Sequence, residues 1–180
     1  MTHRIILFRG MNTGGVSAPV AEQRAMAAAM GLRNPRTLAA SGNLVVESDK
    51  AADALEHDIE AAMEKTFGLK VAAMVRTPDQ WERLVAANPF PDEAAAHPSG
   101  MVAMVRKNGV KDGVLEAIRA FAAAGERAEA IGDVLYFWHP DGIGHSKMAG
   151  KAQPRLIGMG TGRNWNAVLK LADMVGLSAR

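Results

Sequence analysis

The order in which strand-like and helix-like apolar patterns follow one another constrains this chain more than any single motif. Ile5 to Arg9 reads as a buried strand. Val20, Met26, Ala27 and Met30 then recur at helical spacing, with Pro19 at the first position and Gly31 just past the end, the usual asymmetry of helix punctuation. Thr37 to Ala40 and Leu44 to Glu47 read as a hairpin turning at Ser41-Gly42-Asn43. Ala52, Leu55, Ile59, Ala62, Met63, Thr66 and Phe67 return to helical spacing, and Leu69 to Val75 closes the series as a strand. The resulting order, βαββαβ, is that of the ferredoxin-like split motif.

The order then begins again. Thr77-Pro78-Asp79-Gln80 is a capping box ahead of a helix carrying Trp81, Leu84 and Val85, which Asn88-Pro89 ends. Asn88 to Ser99, with Pro89, Pro91 and Pro98, reads as a connector. Met101 to Arg106 is a strand, and Asp112 is placed to cap a helix with Leu115, Ile118, Phe121 and Ala122 that Gly125 closes. Ala128 to Ile131 and Val134 to Trp138 pair around a Gly132-Asp133 turn. A helix over Ser146 to Ile157, a short extended piece near Met159 to Thr161 and a last helix from Asn164 to Val175 complete the chain. The expected fold class is α+β, two ferredoxin-like halves packed together: residues 1–76, a helix and connector over 77–99, and residues 100–180 with an extra C-terminal helix. No residue-level repeat accompanies this duplication of order.

Composition narrows the class of function. The 180 residues contain no cysteine, which excludes disulfides, thiolate metal sites and cysteine nucleophiles. Lys and Arg total 21 against 19 Asp and Glu, too even a balance for bulk electrostatics to imply nucleic acid. No apolar run approaches the ~18 residues of a membrane-crossing helix. Ile5 to Phe8, bracketed by Arg4 and Arg9, is too short for the ~7–15-residue apolar core of a signal peptide. The expected location is cytoplasmic, and oligomeric state is not legible.

Polar clusters stand where the expected elements begin or end, the places where a scaffold presents groups to a ligand. Arg9-Gly10-Met11-Asn12-Thr13-Gly14-Gly15 follows the first strand. Glycines there allow close backbone approach, and amides beside Arg9 favour an anion, while a plain glycine-rich turn is the alternative. Ser41-Gly42-Asn43 is first of all a tight turn, which by itself accounts for its residues. In Asp141-Gly142-Ile143-Gly144-His145-Ser146-Lys147, Ser146 is a helix cap and Lys147 a cation set against the helix dipole. His139, Asp141 and His145 fit no metal-ligand template, and no metal or cofactor is expected. Gly158-Met159-Gly160-Thr161-Gly162-Arg163-Asn164 fails as a dinucleotide fingerprint because its third glycine is misplaced and no strand follows. Its remaining chemistry is an anion at a helix start, with Arg163 as a bidentate clamp and Asn164 as cap or donor. Tyr136 and Trp138 share a strand face on which bases could stack, but the basic-aromatic octapeptide of RNA-recognition motifs is absent.

These clusters, with Asn88-Pro89-Phe90-Pro91 between them and Arg163-Asn164-Trp165-Asn166 last, resemble in content and order the DUF1697 family of bacterial proteins of unknown function. The resemblance spans Ile5 to about Met174. It implies two ferredoxin-like halves, supports the positions of the site clusters, and supplies no reaction. The chain departs from that pattern at Val16-Ser17-Ala18, at Leu38 to Ala40 and at Gly162.

The leading expectation is a small anionic or phosphorylated ligand held in a cleft between the lobes by Arg9, Asn12, Gly14, Gly15, Ser41, Asn43, Lys147, Arg163 and Asn164. The catalytic set is unknown, and Lys147 and His145 are the only plausible proton-transfer groups. The competing expectation is a nucleic-acid or protein binding module that uses an open sheet face bearing Tyr136 and Trp138.

Overall fold

The computed structural model describes residues 2–11, 17–39 and 42–177. The chain divides into two compact units, Met1–Arg83 with Lys170–Arg180, and Leu84–Leu169.

The first unit runs β1 (Thr2–Phe8), α1 (Val20–Ala29), β2 (Arg33–Thr37), β3 (Asn43–Ser48), α2 (Ala52–Phe67), β4 (Ala73–Arg76) and into α3 (Pro78–Ala86). Its sheet has the order β2-β3-β1-β4, antiparallel throughout, which is the ferredoxin-like arrangement. Met26 and Ala27 of α1 and Leu55, Ile59 and Met63 of α2 pack with Ile6, Phe8, Leu44, Val46, Ala73 and Val75 from one face of that sheet. Ile5, Leu7, Val45 and Met74 on the opposite face are equally buried.

The second unit repeats the plan. It contains α4 (Pro91–Ala96), a 3-10 turn at Pro98–Gly100, β5 (Met101–Arg106), α5 (Val114–Arg119), β6 (Arg127–Ile131), β7 (Val134–Trp138), α6 (Lys147–Lys151), α7 (Pro154–Ile157) and β8 (Gly160–Asn164), with α8 (Trp165–Met174) beginning in it. The order β6-β7-β5-β8 reproduces that of the first sheet, again antiparallel. Ile118, Met148 and Ile157 from α5, α6 and α7 pack with Val102, Met104, Leu135 and Phe137.

Several element boundaries differ from the sequence reading. β2 lies at Arg33–Thr37, not Thr37 to Ala40. Its polar Arg-Asn-Pro-Arg text looks like a turn, yet an edge strand tolerates proline and charge because one side needs no partner. The connector contains α4, whose Pro91 opens the helix and whose Asp92 and Glu93 suit its first turn. Asp112 does not cap α5: Gly113, at φ 83, is the N-cap, with no side-chain bond. The helix expected over Ser146 to Ile157 is two, broken where Gln153 precedes Pro154, since proline disfavours helical geometry in the residue before it. The extended piece after it is a full strand reaching Asn164.

The capping box is as the sequence implies. Thr77 Oγ1 accepts the Gln80 N–H at 3.2 Å and Gln80 Oε1 accepts the Thr77 N–H at 2.9 Å. At the β6–β7 hairpin, Gly132 at φ 60 takes the first central position, which is the type II′ requirement.

Candidate functional site

In the first unit, main-chain bonds bring two of the polar turns together. Phe8 N–H donates to Gly42 O at 2.9 Å and Arg9 N–H to Ala72 O at 3.0 Å, so Arg9 continues the sheet past the end of β1. Gly42, at φ 82, sits against Met11: a Cβ there would lie 2.9 Å from the Met11 Cγ. Asn43 is almost fully buried, and its Nδ2 donates to Leu38 O at 3.0 Å while Leu38 N–H donates to Asn43 O at 3.1 Å. Its amide therefore serves to hold the hairpin. Arg9 is half-buried. Asn12, Gly14, Gly15 and Ser41 lie outside the described residues.

In the second unit, the register of β8 decides which main-chain groups face outward. Lys107 N–H donates to Met159 O at 3.0 Å. The pairs Val105–Thr161 and Ala103–Arg163 are then the hydrogen-bonded ones, and the N–H groups of Gly162 and Asn164 point away from β5 along the sheet edge. Asn164 also caps α8, its Oδ1 accepting the Ala167 N–H at 3.0 Å. The N–H groups of Trp165 and Asn166 stay outside the intrahelical ladder, as first-turn donors do. Between these donors stands Arg163, half-buried, its Nη1 donating to Thr161 Oγ1 at 2.7 Å and to Gly162 O at 2.8 Å. Desolvation pulls its pKa down to about 10, the direction in which burial moves a cation. The junction offers donors and a cation. Donors and a cation in this arrangement can accept an anion.

Lys147 does not share that position. Its Nζ lies 5.6 Å from the Phe121 ring centroid, and that of Lys151 lies 5.4 Å from it. Phe121 packs against the core on the helix-bearing side of the sheet. Arg163 pairs with Ala103, which also faces Tyr136, on the other side. Lys147 and Arg163 thus occupy opposite faces of one sheet.

The aromatic face expected to be open is not. Tyr136 is fully buried, with its hydroxyl donating to Leu84 O at 2.6 Å, and Trp138 is 7% exposed. Burial pushes the Tyr136 phenol up. Base stacking on these rings has no exposed surface to use.

Two features escaped the sequence reading. Arg106 on β5 is buried and donates to Ile157 O and, at 3.5 Å, to Met104 Sδ. A Cβ at Gly160 would lie 2.5 Å from its Nη1, and one at Gly158 would lie 2.8 Å from its Nη2. The glycines that resembled a nucleotide fingerprint make room for this arginine. The second feature is a hydrogen bond between His139 Nδ1 and Glu126 Oε2 at 2.8 Å, with side chains 2% and 6% exposed. A lone Glu in a Gly-Glu-Arg turn gave no signal of this. His145 and Asp141 are exposed, and among the described residues no three His, Asp or Glu side chains gather as a metal site.

The profile of the family described as "Protein of unknown function (DUF1697)" matches residues 1–136. The chain belongs to the DUF1697 family. The match includes the Arg9, Gly42-Asn43 and Asn88-to-Pro91 clusters, while those at Asp141–Lys147 and Arg163–Asn166 lie beyond it. Among solved structures, a conserved bacterial protein from Streptococcus pneumoniae is similar, at a TM-score of 0.77 and 18% identity over 97% of this chain and 98% of that one. At that identity the likeness is one of fold. No curated protein matches the chain. No helix of the described residues is long and apolar enough to cross a membrane.

Proposed function

We propose that this DUF1697 protein binds a small anionic or phosphorylated ligand at the β8–α8 junction. The carrying observation is the half-buried Arg163, held by Thr161 and Gly162 between outward N–H groups and the start of a ten-residue helix. A phosphoryl group there would meet main-chain donors from Gly162 and Asn164, first-turn donors of α8, and a guanidinium whose fork suits it. Arg9 at the end of β1 is the candidate cation of the first unit; the part of Asn12, Gly14, Gly15 and Ser41 rests on sequence. Lys147 serves as a separate exposed cation. A cytoplasmic setting accords with this reading, since phosphorylated metabolites are abundant there.

A thermal-shift screen over inorganic phosphate, pyrophosphate, nucleotides and sugar phosphates at constant ionic strength tests it. A ligand at a hundred times its Kd stabilises by about 2.7 kcal/mol, which raises Tm by about 5–10 °C in a chain of this size. Arg163→Gln should abolish the shift while keeping the native spectrum. Equal shifts in wild type and variant would remove Arg163 from the site.

A further inference from the structure

The loop between β5 and α5, residues 107–113, carries the one Asn-Gly pair of the sequence, Asn108-Gly109. Asn108 is exposed, and among the described residues neither its side chain nor the Gly109 N–H makes a hydrogen bond within the protein. The space beside Gly109 is open: a Cβ placed there would meet nothing within 4 Å. The main-chain nitrogen of Gly109 and the side-chain carbonyl carbon of Asn108 can therefore approach each other without breaking a protein bond or meeting a side chain.

The other asparagines of the described residues each lack one of these conditions. Asn34 and Asn88 precede Pro35 and Pro89, and proline has no N–H to give up. Asn43 is buried with its Nδ2 donating to Leu38 O. Asn164 accepts the Ala167 N–H on its Oδ1, which engages its own side chain and also the nitrogen that follows Asn166. At Asp141-Gly142 the nitrogen is engaged as well, since the Gly142 N–H donates to His139 O at 3.1 Å.

We propose that Asn108 is a site of spontaneous deamidation in the folded protein. The Gly109 nitrogen gives its proton to hydroxide and attacks Asn108 Cγ. A bond forms between that nitrogen and Cγ, the Cγ–Nδ2 bond breaks, and Nδ2 leaves as ammonia with a proton taken from water. Water then opens the resulting succinimide at either carbonyl. Opening at the former side-chain carbonyl gives an aspartyl residue at position 108, and opening at the main-chain carbonyl gives an isoaspartyl residue with an extra methylene in the main chain. The net change is an amide and water converted to a carboxylate and ammonium, with nothing oxidised or reduced. Ring closure joins groups in adjacent residues, so proximity is supplied by the chain itself, and asparagine is among the thermolabile side chains for this reason. The product lowers the net charge of +2 by one. It stands next to Lys107, whose N–H donates to Met159 O beside the β5–β8 pairing.

Mass spectrometry of the full chain tests this, after ageing at pH 8 and digestion with pepsin in acid, where digestion itself adds no deamidation. The peptide holding Asn108 should gain one mass unit and separate into aspartyl and isoaspartyl forms, several-fold faster at pH 8 than at pH 6. Guanidinium-unfolded protein sets the ceiling. Folded protein should approach that rate at Asn108, while the peptides holding Asn43 and Asn164 stay unmodified until unfolding. Asn108→Gln should lose the gain, because its longer side chain closes a six-membered ring far more slowly. Modification of Asn108 only after unfolding would overturn the proposal, and so would an equal gain of mass in the variant.

Discussion

Glu56 closes the outer edge of the first sheet by accepting the Val75 N–H at 2.9 Å. Glu60, one turn further along α2, accepts the Ala73 N–H at 3.2 Å. Because Arg9 N–H donates to Ala72 O, the groups of residues 73 and 75 point away from β1, and an edge strand with such groups bare is a template for unwanted pairing. The two glutamates occupy that template, and Arg76 Nη1, 3.9 Å from Glu56 Oε2, partly balances their charge.

Replacing both, Glu56→Ala with Glu60→Ala, should cost about 1–3 kcal/mol for each N–H left without its partner. Urea unfolding measures the loss, and size-exclusion chromatography should show concentration-dependent association that the wild type lacks. A variant equal to wild type in both would mean that water replaces the carboxylates without penalty.

Gly160→Ala should destabilise the second unit by ~1–3 kcal/mol, the usual cost of overpacking. The added methyl would lie 2.5 Å from Arg106 Nη1 and 2.7 Å from Val105 O, and the latter is backbone that cannot rotate aside. Combining it with Arg106→Met relieves the first clash only, so partial recovery in urea unfolding is the expected result. Full stability in the single variant would show that β8 can shift away from β5.

Much of this fold was legible because its signals are local. Apolar spacing marked α2, the Thr77-to-Gln80 box marked α3, and Gly132 marked the second hairpin, each of which depends on residues within a few positions. What failed depends on distant partners. β2 is a strand because β3 pairs with it, despite Asn34 and Pro35, and α4 was hidden by prolines that read as breakers when Pro91 in fact starts a helix. At the candidate site, the contacts that single residues make inside the fold were the part that local spacing did not show. Asn43 turned out to hold its own turn, and Gly158 and Gly160 to accommodate Arg106. The Glu126–His139 pair joins residues 13 apart through a buried contact that no spacing rule announces.

Asn164→Ala should lower stability by ~1 kcal/mol through loss of the α8 cap, seen as a lower urea midpoint with an unchanged slope. Thr77→Ala should do the same at α3, and the two losses should add within ~0.5 kcal/mol if the caps act independently. A strongly non-additive pair would mean that the two helix starts unfold as one event.

The acid limb of stability should carry a contribution from Glu126. Its folded pKa is depressed, so its contribution is fully present above 4.5 and is lost as pH falls through the lower folded value. Wild type and Glu126→Gln, compared by urea unfolding from pH 6.5 downward, should differ by most at pH 6.5 and by progressively less as pH falls below 4.5. A gap that does not narrow at all with falling pH would assign the effect to shape rather than charge.

The central claim is that the β8–α8 junction holds a phosphoryl group. Titration of 15N-labelled protein with inorganic phosphate and then pyrophosphate, at fixed ionic strength, addresses it directly through the amide signals of Gly162, Asn164 and Asn166. The account predicts saturable shifts at these amides in the wild type and their loss in Arg163→Gln, with the core amides of β5 unmoved in both. Absence of saturable shifts with either anion, or identical titrations in wild type and variant, would contradict it.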